Sequence, residues 1–322
     1  MHRYALIVNP LTLVKHKKRF AVLCDTLDRA QVSYEIFESV DAASITALTR
    51  EALQRGFTRI LPVGGDGTLS LAVRGFMSGD KNEFPKAVII PLDFGTGHDF
   101  YNGFIPKACH GRFDWAVTPG AVESLSVSLG WFNSTRYTSE NAAPGGGQSL
   151  GLRNVERYFI NSLSFGISSK IVEHRALSSL RHGKISYFVA TIKTLFSYRN
   201  KALVLSLDGA PQKKPTLLFM MCKGPLVGGG MRLVAHANPL AATCQGLWVP
   251  ALPWWKIVLN LPKIYQGRVA AVEGVQSFEF KSLRLRFEGA AALEADGELC
   301  EVGEEIEVRI LPACVRFLRP KV

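Results

Sequence analysis

The sequence lacks the features that define several protein classes. Its six cysteines form no CxxC pair, so we expect reduced thiols rather than a disulfide framework or a zinc site. The stretch that comes nearest to a long apolar run, residues 247–262, is broken by prolines and a lysine and should not cross a membrane. The first residues do not resemble a secretory leader, because Asn9-Pro10 follows where a cleavage site would need small residues. These absences predict a cytoplasmic protein.

The composition also argues against disorder. Apolar residues make up 47% of the 322 residues and charged residues 20%, as in ordinary globular proteins. A chain of this length usually forms about two domains. The net charge of +11 would suit nucleic acid, an anionic lipid surface or a phosphorylated substrate. Because we find neither zinc-finger spacing nor an RNP-type strand, we expect no nucleic-acid partner.

Short apolar runs alternate with helix-period segments between residues 4 and 100, a pattern typical of a parallel α/β sheet. Asp41 is a plausible N-cap for the second of the helices. Two glycine-rich segments each follow a predicted strand, at the sheet edge where open α/β sheets bind ligands. The predicted strands are residues 4–8, 34–37, 60–63 and 87–92, and the predicted helices lie near residues 20–27, 45–53 and 68–77.

After about residue 120 the pattern changes to alternating strands, which predicts a mainly antiparallel β-sandwich. We therefore expect an α/β domain at residues 1–120 and a sandwich domain at residues 121–309. A return of the C-terminal tail, about residues 310–322, to the first domain is left open. Within the second half, helical spacing predicts a helix at residues 185–196, and a glycine-rich stretch predicts a hairpin loop at residues 138–151.

The first glycine-rich segment, Gly64-Gly65-Asp66-Gly67-Thr68, predicts a phosphate cradle. Glycines let the backbone approach a ligand, and the amides at a helix start point at anions. Asp66 would repel phosphate oxygens unless a cation lies between them, and Mg²⁺ is the cation that suits this position. A tight turn with a solvated aspartate is the alternative for these five residues taken alone.

A second segment, Gly95-Thr96-Gly97-His98-Asp99, follows the fourth predicted strand. Two glycine turns, each with an acidic residue and each at the same sheet edge, predict a converging site for a metal-bound polyphosphate. Asp296-Gly297-Glu298 is by itself more typical of a β-turn between two strands than of a catalytic site.

These motifs resemble the diacylglycerol kinase catalytic-domain family, the lipid kinases that include bacterial diacylglycerol kinases and sphingosine kinases. The resemblance extends over nearly the whole chain, because its pieces recur in the family's order. They are Asn9-Pro10, Gly64 to Thr68, the GTG-x-D segment Gly95 to Asp99, Asn161 to Gly166, Gly228 to Leu233, and Asp296-Gly297-Glu298.

The resemblance implies a phosphofructokinase-like nucleotide-binding domain, a β-sandwich domain and an active site between them. It implies ATP- and Mg²⁺-dependent phosphorylation of a hydroxyl of diacylglycerol or a related lipid. Asp66 and Asp99 would organise Mg²⁺ and take part in catalysis, and Glu298 would be the base that faces the lipid hydroxyl. The residues implied to bind ATP are Asn9, Gly64, Gly65, Gly67, Thr68, Gly95, Thr96 and Gly97.

Four departures from the family pattern bear on these roles. The residues from Leu11 to Lys15 replace a small glycine-containing loop. His98 stands where the family usually has asparagine, and Asp93-Phe94 lengthens the approach to it. Ser168 and Gln245 each replace a usual aspartate, and the latter bears on an accessory structural Mg²⁺ seen in some relatives.

A lipid substrate implies peripheral contact with a membrane surface. Aromatic residues with neighbouring cations make a candidate docking surface, although the tryptophans could equally belong to the sandwich core. The residues are Trp248, Trp254, Trp255, Lys256, Lys263, Tyr265 and Arg268.

Two alternatives to a lipid kinase remain at this point. One is a small-metabolite kinase of the NAD kinase or phosphofructokinase type, against which the GTG-x-D segment argues. The other is a non-catalytic relative that binds nucleotide or lipid. Whether the protein forms a homodimer is left open.

Overall fold

A computed structural model describes residues 2–95, 97–140, 149–177, 194, 198, 201–206, 211–234, 236–289 and 291–321. Of the predictions above, Thr96, the middle of the glycine-rich hairpin loop (residues 141–148) and nearly all of the helix at residues 185–196 lie outside the described residues.

The N-terminal part alternates strands and helices, as the apolar periodicity predicts. Asp41 caps the second helix, where its side chain accepts a hydrogen bond from the backbone N–H of Ser44 at 2.7 Å, so the predicted N-cap is confirmed. The elements are β1 Tyr4–Val8, α1 Pro10–Arg29, β2 Tyr34–Glu38, α2 Ala42–Gln54, β3 Arg59–Val63, α3 Asp66–Phe76, β4 Met77–Ser78, β5 Lys81–Asn82, β6 Val88–Ile89 and α4 Asp99–Phe104.

Strands β2, β1, β3 and β6 lie side by side in that order and are all parallel. Tyr4 of β1 is paired with Tyr34 of β2 on one side and with Arg59 of β3 on the other. Every residue of β1 is buried, as expected for a parallel strand covered on both faces. The carboxyl ends of β3 and β6 therefore meet at one edge of the sheet, where both glycine-rich segments begin.

The C-terminal part is mainly antiparallel, as predicted. Its elements are β7 Val122–Glu140, β8 Ser149–Phe159, β9 Ser162–Gly166, α5 Ile167–Leu177, β10 Lys201–Ser206, β11 Gln212–Cys222, β12 Cys244–Pro250, α6 Trp254–Gln266, β13 Gln276–Phe280, β14 Ser282–Phe287, β15 Ala291–Ala295, β16 Glu298–Val302 and β17 Glu305–Pro320. The strands run in the order β16, β15, β9, β11, β10, β14 and β17, and β12 continues from β11 to β13.

The long strand β17 joins the two parts into one mixed sheet. Its first half pairs antiparallel with β14, and its second half pairs parallel with β6, where Arg316 is opposite Val88. The tail beyond residue 310 thus returns to the N-terminal sheet. Side chains from the first half, such as Val308, enter the C-terminal core, whereas Phe317 enters the N-terminal core.

None of the helices in the described part of the chain combines the length and the apolar character that a membrane crossing requires.

Candidate active site

The two glycine turns touch each other through their backbones. Gly65 precedes α3, and Gly95 lies in the loop between β6 and α4. A Cβ atom added to Gly95 would lie 2.5 Å from the Cα atom of Gly65, closer than any side chain can approach a backbone atom. Position 95 therefore requires glycine so that the turns can meet.

Asp66 links the two turns. It begins α3, and its carboxylate accepts hydrogen bonds from the backbone N–H of Asp99 at 3.0 Å and of Phe100 at 3.1 Å. These are unsatisfied donors of the first turn of α4, which the carboxylate caps. His98 turns the chain into α4 with a left-handed backbone, at φ 57°.

Asp99 is buried and faces the second domain. Its Oδ2 atom accepts a hydrogen bond from the backbone N–H of Gly229 at 2.8 Å, within a three-glycine loop, Gly228 to Gly230, whose φ angles are all positive. Its Oδ1 atom has no hydrogen-bond partner among the described residues. Burial, together with the nearby charge of Asp66, raises the pKa of Asp99 to about 6.

Asp296 and Gly297 form the two-residue turn between β15 and β16, with φ angles of 48° and 88°. A two-residue turn with two positive φ angles favours an Asp-Gly pair. The β-turn interpretation therefore holds for these two residues. The Asp296 carboxylate accepts hydrogen bonds from three consecutive backbone amides, Ile160 to Ser162, and from the Ser70 hydroxyl of α3 at 2.7 Å. It thereby joins the two domains beside the cleft.

Glu298 follows that turn and meets an arginine that our sequence reasoning missed. Arg74 of α3 is only 7% exposed, and its Nη2 atom lies 3.1 Å from Oε2 of Glu298, which is 37% exposed. The Nε and Nη1 atoms of Arg74 have no partner among the described residues. A single charged residue within the otherwise apolar stretch Leu71 to Phe76 was the signal that could have identified it.

The three predicted carboxylates share one cleft of about 440 Å³ between the domains. Most of the predicted site residues line it: Gly65, Asp66, Gly67, Gly95, Gly97, Asp99 and Glu298. The structure does not bring Asn9, Gly64 and Thr68 to the cleft wall. The Asn9 side chain caps α1 by accepting the backbone N–H of Leu11 at 3.1 Å, and Gly64 makes room for Thr68, whose Oγ1 would lie 2.0 Å from an added Cβ atom.

The departure after Asn9-Pro10 is a helix instead of a loop. Helix α1 begins at Pro10, directly after its Asn9 cap, so the segment from Leu11 to Lys15 forms the first turns of α1. Lys15 lines the cleft with its neighbours Leu11, Thr12 and His16. A side-chain cation therefore stands at the position where the family pattern has small residues.

The two parts of the departure at His98, the histidine and the preceding Asp93-Phe94, are in contact with one another. His98 Nδ1 pairs with the carboxylate of Asp93, which also accepts a hydrogen bond from Nη2 of Arg19 at 2.8 Å. Phe94 is buried and stacks on Phe113, with 5.4 Å between ring centroids. Burial raises the pKa of Asp93, but the hydrogen bonds from His98 and Arg19 outweigh it and hold that pKa at about 2. Asp93 thus positions the His98 ring, and the neighbouring Phe94 anchors the segment in the core.

A buried lysine lies beside the loop that precedes Gln245. Lys223 is completely buried, and its ammonium group donates hydrogen bonds to the backbone carbonyls of Ala241 at 2.6 Å and Thr243 at 2.7 Å. Burial lowers the pKa of Lys223. The ammonium group of Lys223 therefore holds the loop that precedes Gln245, a position where the family resemblance implies an aspartate.

The acidic residues of the cleft fit Mg²⁺. Mg²⁺ is usually held by one or two protein carboxylates, with phosphate oxygens and water completing its shell. Asp66 and Asp99 supply two carboxylates, and Asp99 Oδ1 is a buried acceptor without a partner in the described structure. No group of three or more potential ligands from His, Cys, Asp and Glu occurs among the described residues, so a shell made of side chains alone is not found there.

The candidate docking surface is only partly at the surface. Trp248 is 3% exposed and donates a hydrogen bond from Nε1 to the Thr216 hydroxyl at 2.9 Å, so its assignment to a docking surface is wrong. It lies on a central strand whose alternate side chains point into the C-terminal core. The other six residues lie on α6 or just after it.

Comparison with protein-family models matches residues 3–131 to the "Diacylglycerol kinase catalytic domain" and residues 161–319 to the "YegS C-terminal NAD kinase beta sandwich-like domain". Together they cover most of both domains.

Individual proteins show the same similarity at low identity. The chain is 23% identical to a protein named diacylglycerol kinase from Mycobacterium tuberculosis (strain CDC 1551 / Oshkosh), over 87% of this chain and 83% of the relative. It is 24% identical to one from Staphylococcus carnosus (strain TM300), over 73% and 69% respectively. A crystal structure described as a diacylglycerol kinase from Bacillus anthracis shares the fold with a TM-score of 0.61, at 13% identity over 98% of this chain and 96% of that one.

Proposed function

The chain belongs to the diacylglycerol kinase catalytic-domain family, and we propose that it transfers the γ-phosphoryl group of ATP to a hydroxyl of diacylglycerol or a related lipid in the presence of Mg²⁺. One observation carries this proposal. Asp66, Asp99 and Glu298 come from three different elements of the two domains, yet all three line a single cleft. We also propose that the protein reaches its substrate by peripheral contact with a membrane.

The wall from the N-terminal domain suits a triphosphate. Gly65, Gly67 and Gly95 present backbone without side chains at the start of α3, where amides favour anions. A Cβ atom on Gly97 would lie 3.0 Å from Oδ2 of Asp66, so this glycine keeps the carboxylate accessible. Asp66 and Asp99 would hold Mg²⁺, which when bound neutralises charge on the phosphates.

Glu298 is the carboxylate best placed to act as the base. The Asp66 carboxylate already accepts two backbone amides, and Asp99 is only 6% exposed, whereas Glu298 is 37% exposed at the cleft. Glu298 accepts the proton of the lipid hydroxyl as that oxygen bonds to the γ-phosphorus and the bond to ADP breaks. A base of this kind contributes about 10²- to 10⁴-fold to the rate.

Arg74 holds Glu298 for that role. A buried guanidinium at 3.1 Å restrains one oxygen of the carboxylate and leaves the other for the hydroxyl. On the side of the second domain, one part of the cleft wall is apolar, beside polar residues such as Asn161 and Ser162, and this part would suit the start of a lipid's acyl chains. The apolar lining residues are Ile160, Val172, Met220, Val227 and Met231.

The experiment is transfer of labelled phosphate from ATP with Mg²⁺ to diacylglycerol in vesicles, measured as label in a chloroform-extractable product. We expect transfer by the wild type and at least a 100-fold loss in both Asp66→Asn and Glu298→Gln. Glu307→Gln is the matched control, because Glu307 forms an exposed pair with Arg309 away from the cleft and should leave the rate unchanged. Thermal unfolding of each variant shows whether a loss of rate is only a loss of fold.

Three results would contradict the proposal. Transfer that persists in both variants would remove these carboxylates from the mechanism. Labelled product only in the aqueous phase would instead favour a small-metabolite kinase. Binding of ATP without turnover on any acceptor would favour a non-catalytic relative.

A further inference from the structure

Helix α6 carries several large apolar side chains that are exposed to solvent. None of its residues is buried. Trp254 is 56% exposed, Leu259 is 71% exposed and Tyr265 is 65% exposed. At 3.6 residues per turn, the exposed apolar side chains fall on one continuous arc of the helix. They are Trp254, Trp255, Val258, Leu259, Pro262 and Tyr265, which we call the α6 outer face.

The opposite side of α6 packs on the protein. Ile257 and Ile264 contact a hydrophobic cluster of the second domain that contains Met220 and Val227, two residues of the cleft wall. A helix that is apolar on both sides is normally buried on both sides. Among the described residues, packing contacts cover the inner side of α6, whereas the apolar side chains of the outer face other than Pro262 are 41–71% exposed.

The cleft and α6 are also connected through the backbone. The N–H group of Arg232 donates a hydrogen bond to the carbonyl of Ile264 at 2.9 Å, directly after the glycine loop whose Gly229 amide binds Asp99. Helix α6 therefore packs with its inner side against the second-domain wall of the cleft, and its outer face lies on the other side of the helix.

The charges around the outer face are positive. Helix α6 contains Lys256 and Lys263 and no acidic residue, and Arg268 follows its C-cap. By helical geometry both lysines lie at one edge of the outer face. Lys256 also pairs with Glu273, which is 90% exposed and lies 3.3 Å away.

We propose that the outer face of α6 docks into the interface of an anionic lipid bilayer, with the helix parallel to the membrane plane. Tryptophan and tyrosine favour the membrane–water interface, because their rings combine an apolar body with a polar tip. The adjacent lysines attract anionic lipid headgroups. A neutral bilayer or an apolar peptide carries no negative charge to pair with them. This inference rests on the proposed lipid substrate and assigns the membrane contact to one element.

Vesicle binding tests the proposal directly. Sedimentation with sucrose-loaded vesicles compares pure phosphatidylcholine with a mixture containing 30% phosphatidylglycerol. We expect binding to the anionic vesicles, about tenfold weaker in Leu259→Asp and about fivefold weaker for each lysine replaced in Lys256→Gln and Lys263→Gln. The matched control is Val40→Asp, because Val40 is 90% exposed outside α6 and its replacement should not change binding.

Tryptophan fluorescence reports which residues enter the lipid. Trp115, Trp131 and Trp248 are buried, so a blue shift on adding vesicles arises from Trp254 and Trp255. We expect the shift with anionic vesicles and its loss in the Trp254→Phe, Trp255→Phe double variant. Sedimentation with the vesicles but no shift would overturn the proposal, since the protein would then dock through another surface.

Two further measurements separate this proposal from its competitors. On a short-chain diacylglycerol dissolved as monomers, Leu259→Asp should turn over like the wild type, while its rate on vesicles falls about tenfold. Absence of kinase activity on both substrates, with vesicle binding as expected, would refute the proposed function and leave the docking surface standing. Unchanged vesicle binding in Leu259→Asp, or an effect of that substitution on self-association alone, would refute the docking surface.

Discussion

At the scale of single residues, the contacts of Asp93 with Arg19 and His98 lead to a pH-dependent stability. Asp93 has a pKa of about 2 in the folded protein, where Arg19 and His98 bind it, against 3.8 as its ordinary value. A folded-state pKa that is depressed contributes stability above the ordinary value, and that contribution is lost as the pH falls towards the folded value.

We therefore expect Asp93→Asn to lower the free energy of unfolding by about 2 kcal/mol near pH 6. The difference from the wild type should shrink as the pH falls from about 4 to about 2. Urea unfolding at several pH values measures it. Asp114→Asn is the control, because its bond to Arg112 is exposed and should contribute less than about 1 kcal/mol. An equal effect of Asp93→Asn at pH 6 and pH 3 would show that the carboxylate charge is unimportant.

Lys223 gives a second prediction at this scale. Lys223→Met retains the apolar stem but leaves the carbonyls of Ala241 and Thr243 without their donor. A buried acceptor without a partner costs about 1–3 kcal/mol, so we expect a loss of unfolding free energy of about 3 kcal/mol for the two together. Chemical unfolding followed by circular dichroism measures it, with the exposed Lys107→Met as control. A change below about 0.5 kcal/mol in both variants would mean that the ammonium group does not hold this loop.

At the scale of elements, the contact between the two glycine turns holds β3, α3 and α4 in register. Gly95→Ala would place a methyl group 2.5 Å from the Gly65 Cα atom, so one turn has to move. We expect the melting temperature to fall by several degrees, since about 1–3 kcal/mol of strain is introduced.

Gly67→Ala is the matched stability control for this substitution. Gly67 lies in the first turn of α3, and an added Cβ atom would meet nothing within 4 Å. Alanine favours a helix over glycine by about 1 kcal/mol, so the melting temperature of this variant should stay the same or rise. Equal losses in both variants, measured by calorimetry, would mean that the two turns do not depend on their close contact.

At the scale of the whole molecule, β17 couples the two cores. Phe317 is completely buried, and its ring centroid lies 5.3 Å from that of Phe100 and 5.8 Å from that of Phe104. The same strand pairs with β14 of the second domain. Loss of packing at Phe317 should therefore weaken both domains together.

We expect Phe317→Ala to cost about 3–5 kcal/mol and to leave unfolding as a single transition. Hydrogen exchange, followed separately for peptides of β1 to β3 and of β9 to β15, measures the opening free energy of each domain, and we expect it to fall in both. Leu299→Ala is the control, because Leu299 is 40% exposed and should change little. Faster exchange confined to the first domain would show that the domains unfold independently.

The first three strands and helices of this protein could be predicted from the sequence, whereas helices α4, α5 and α6 were not predicted. The predicted boundaries of β1 agree with the structure, because five consecutive apolar residues are most stable in a buried strand. The N-cap at Asp41 was predicted from its side chain alone. The glycine turns after β3 and before α4 were recognised because backbone conformation and close approach restrict those positions to glycine.

The long-range partners of the site could not be predicted in this way. Nothing in the sequence near Glu298 indicates Arg74, and nothing near Asp99 indicates the Gly229 amide. The pairing of Asp93 with His98 was likewise hidden, because the sequence shows that Asp93-Phe94 lengthens the approach to His98 but not that the two side chains meet. The sequence left open whether Trp248 lies at the surface or in the core, and the register of β12 placed it in the core.

The sequence by itself determined the alternation of the first strands and helices and the two glycine turns, because periodicity and backbone conformation are local properties of the chain; the carboxylates were identified as catalytic from their place in the family pattern. Only the tertiary structure decided that these carboxylates line one cleft, that β17 returns to the first domain, and that the outer face of α6 stays exposed. Those outcomes depend on which distant surfaces bury one another, and that balance of packing and desolvation is a property of the whole fold.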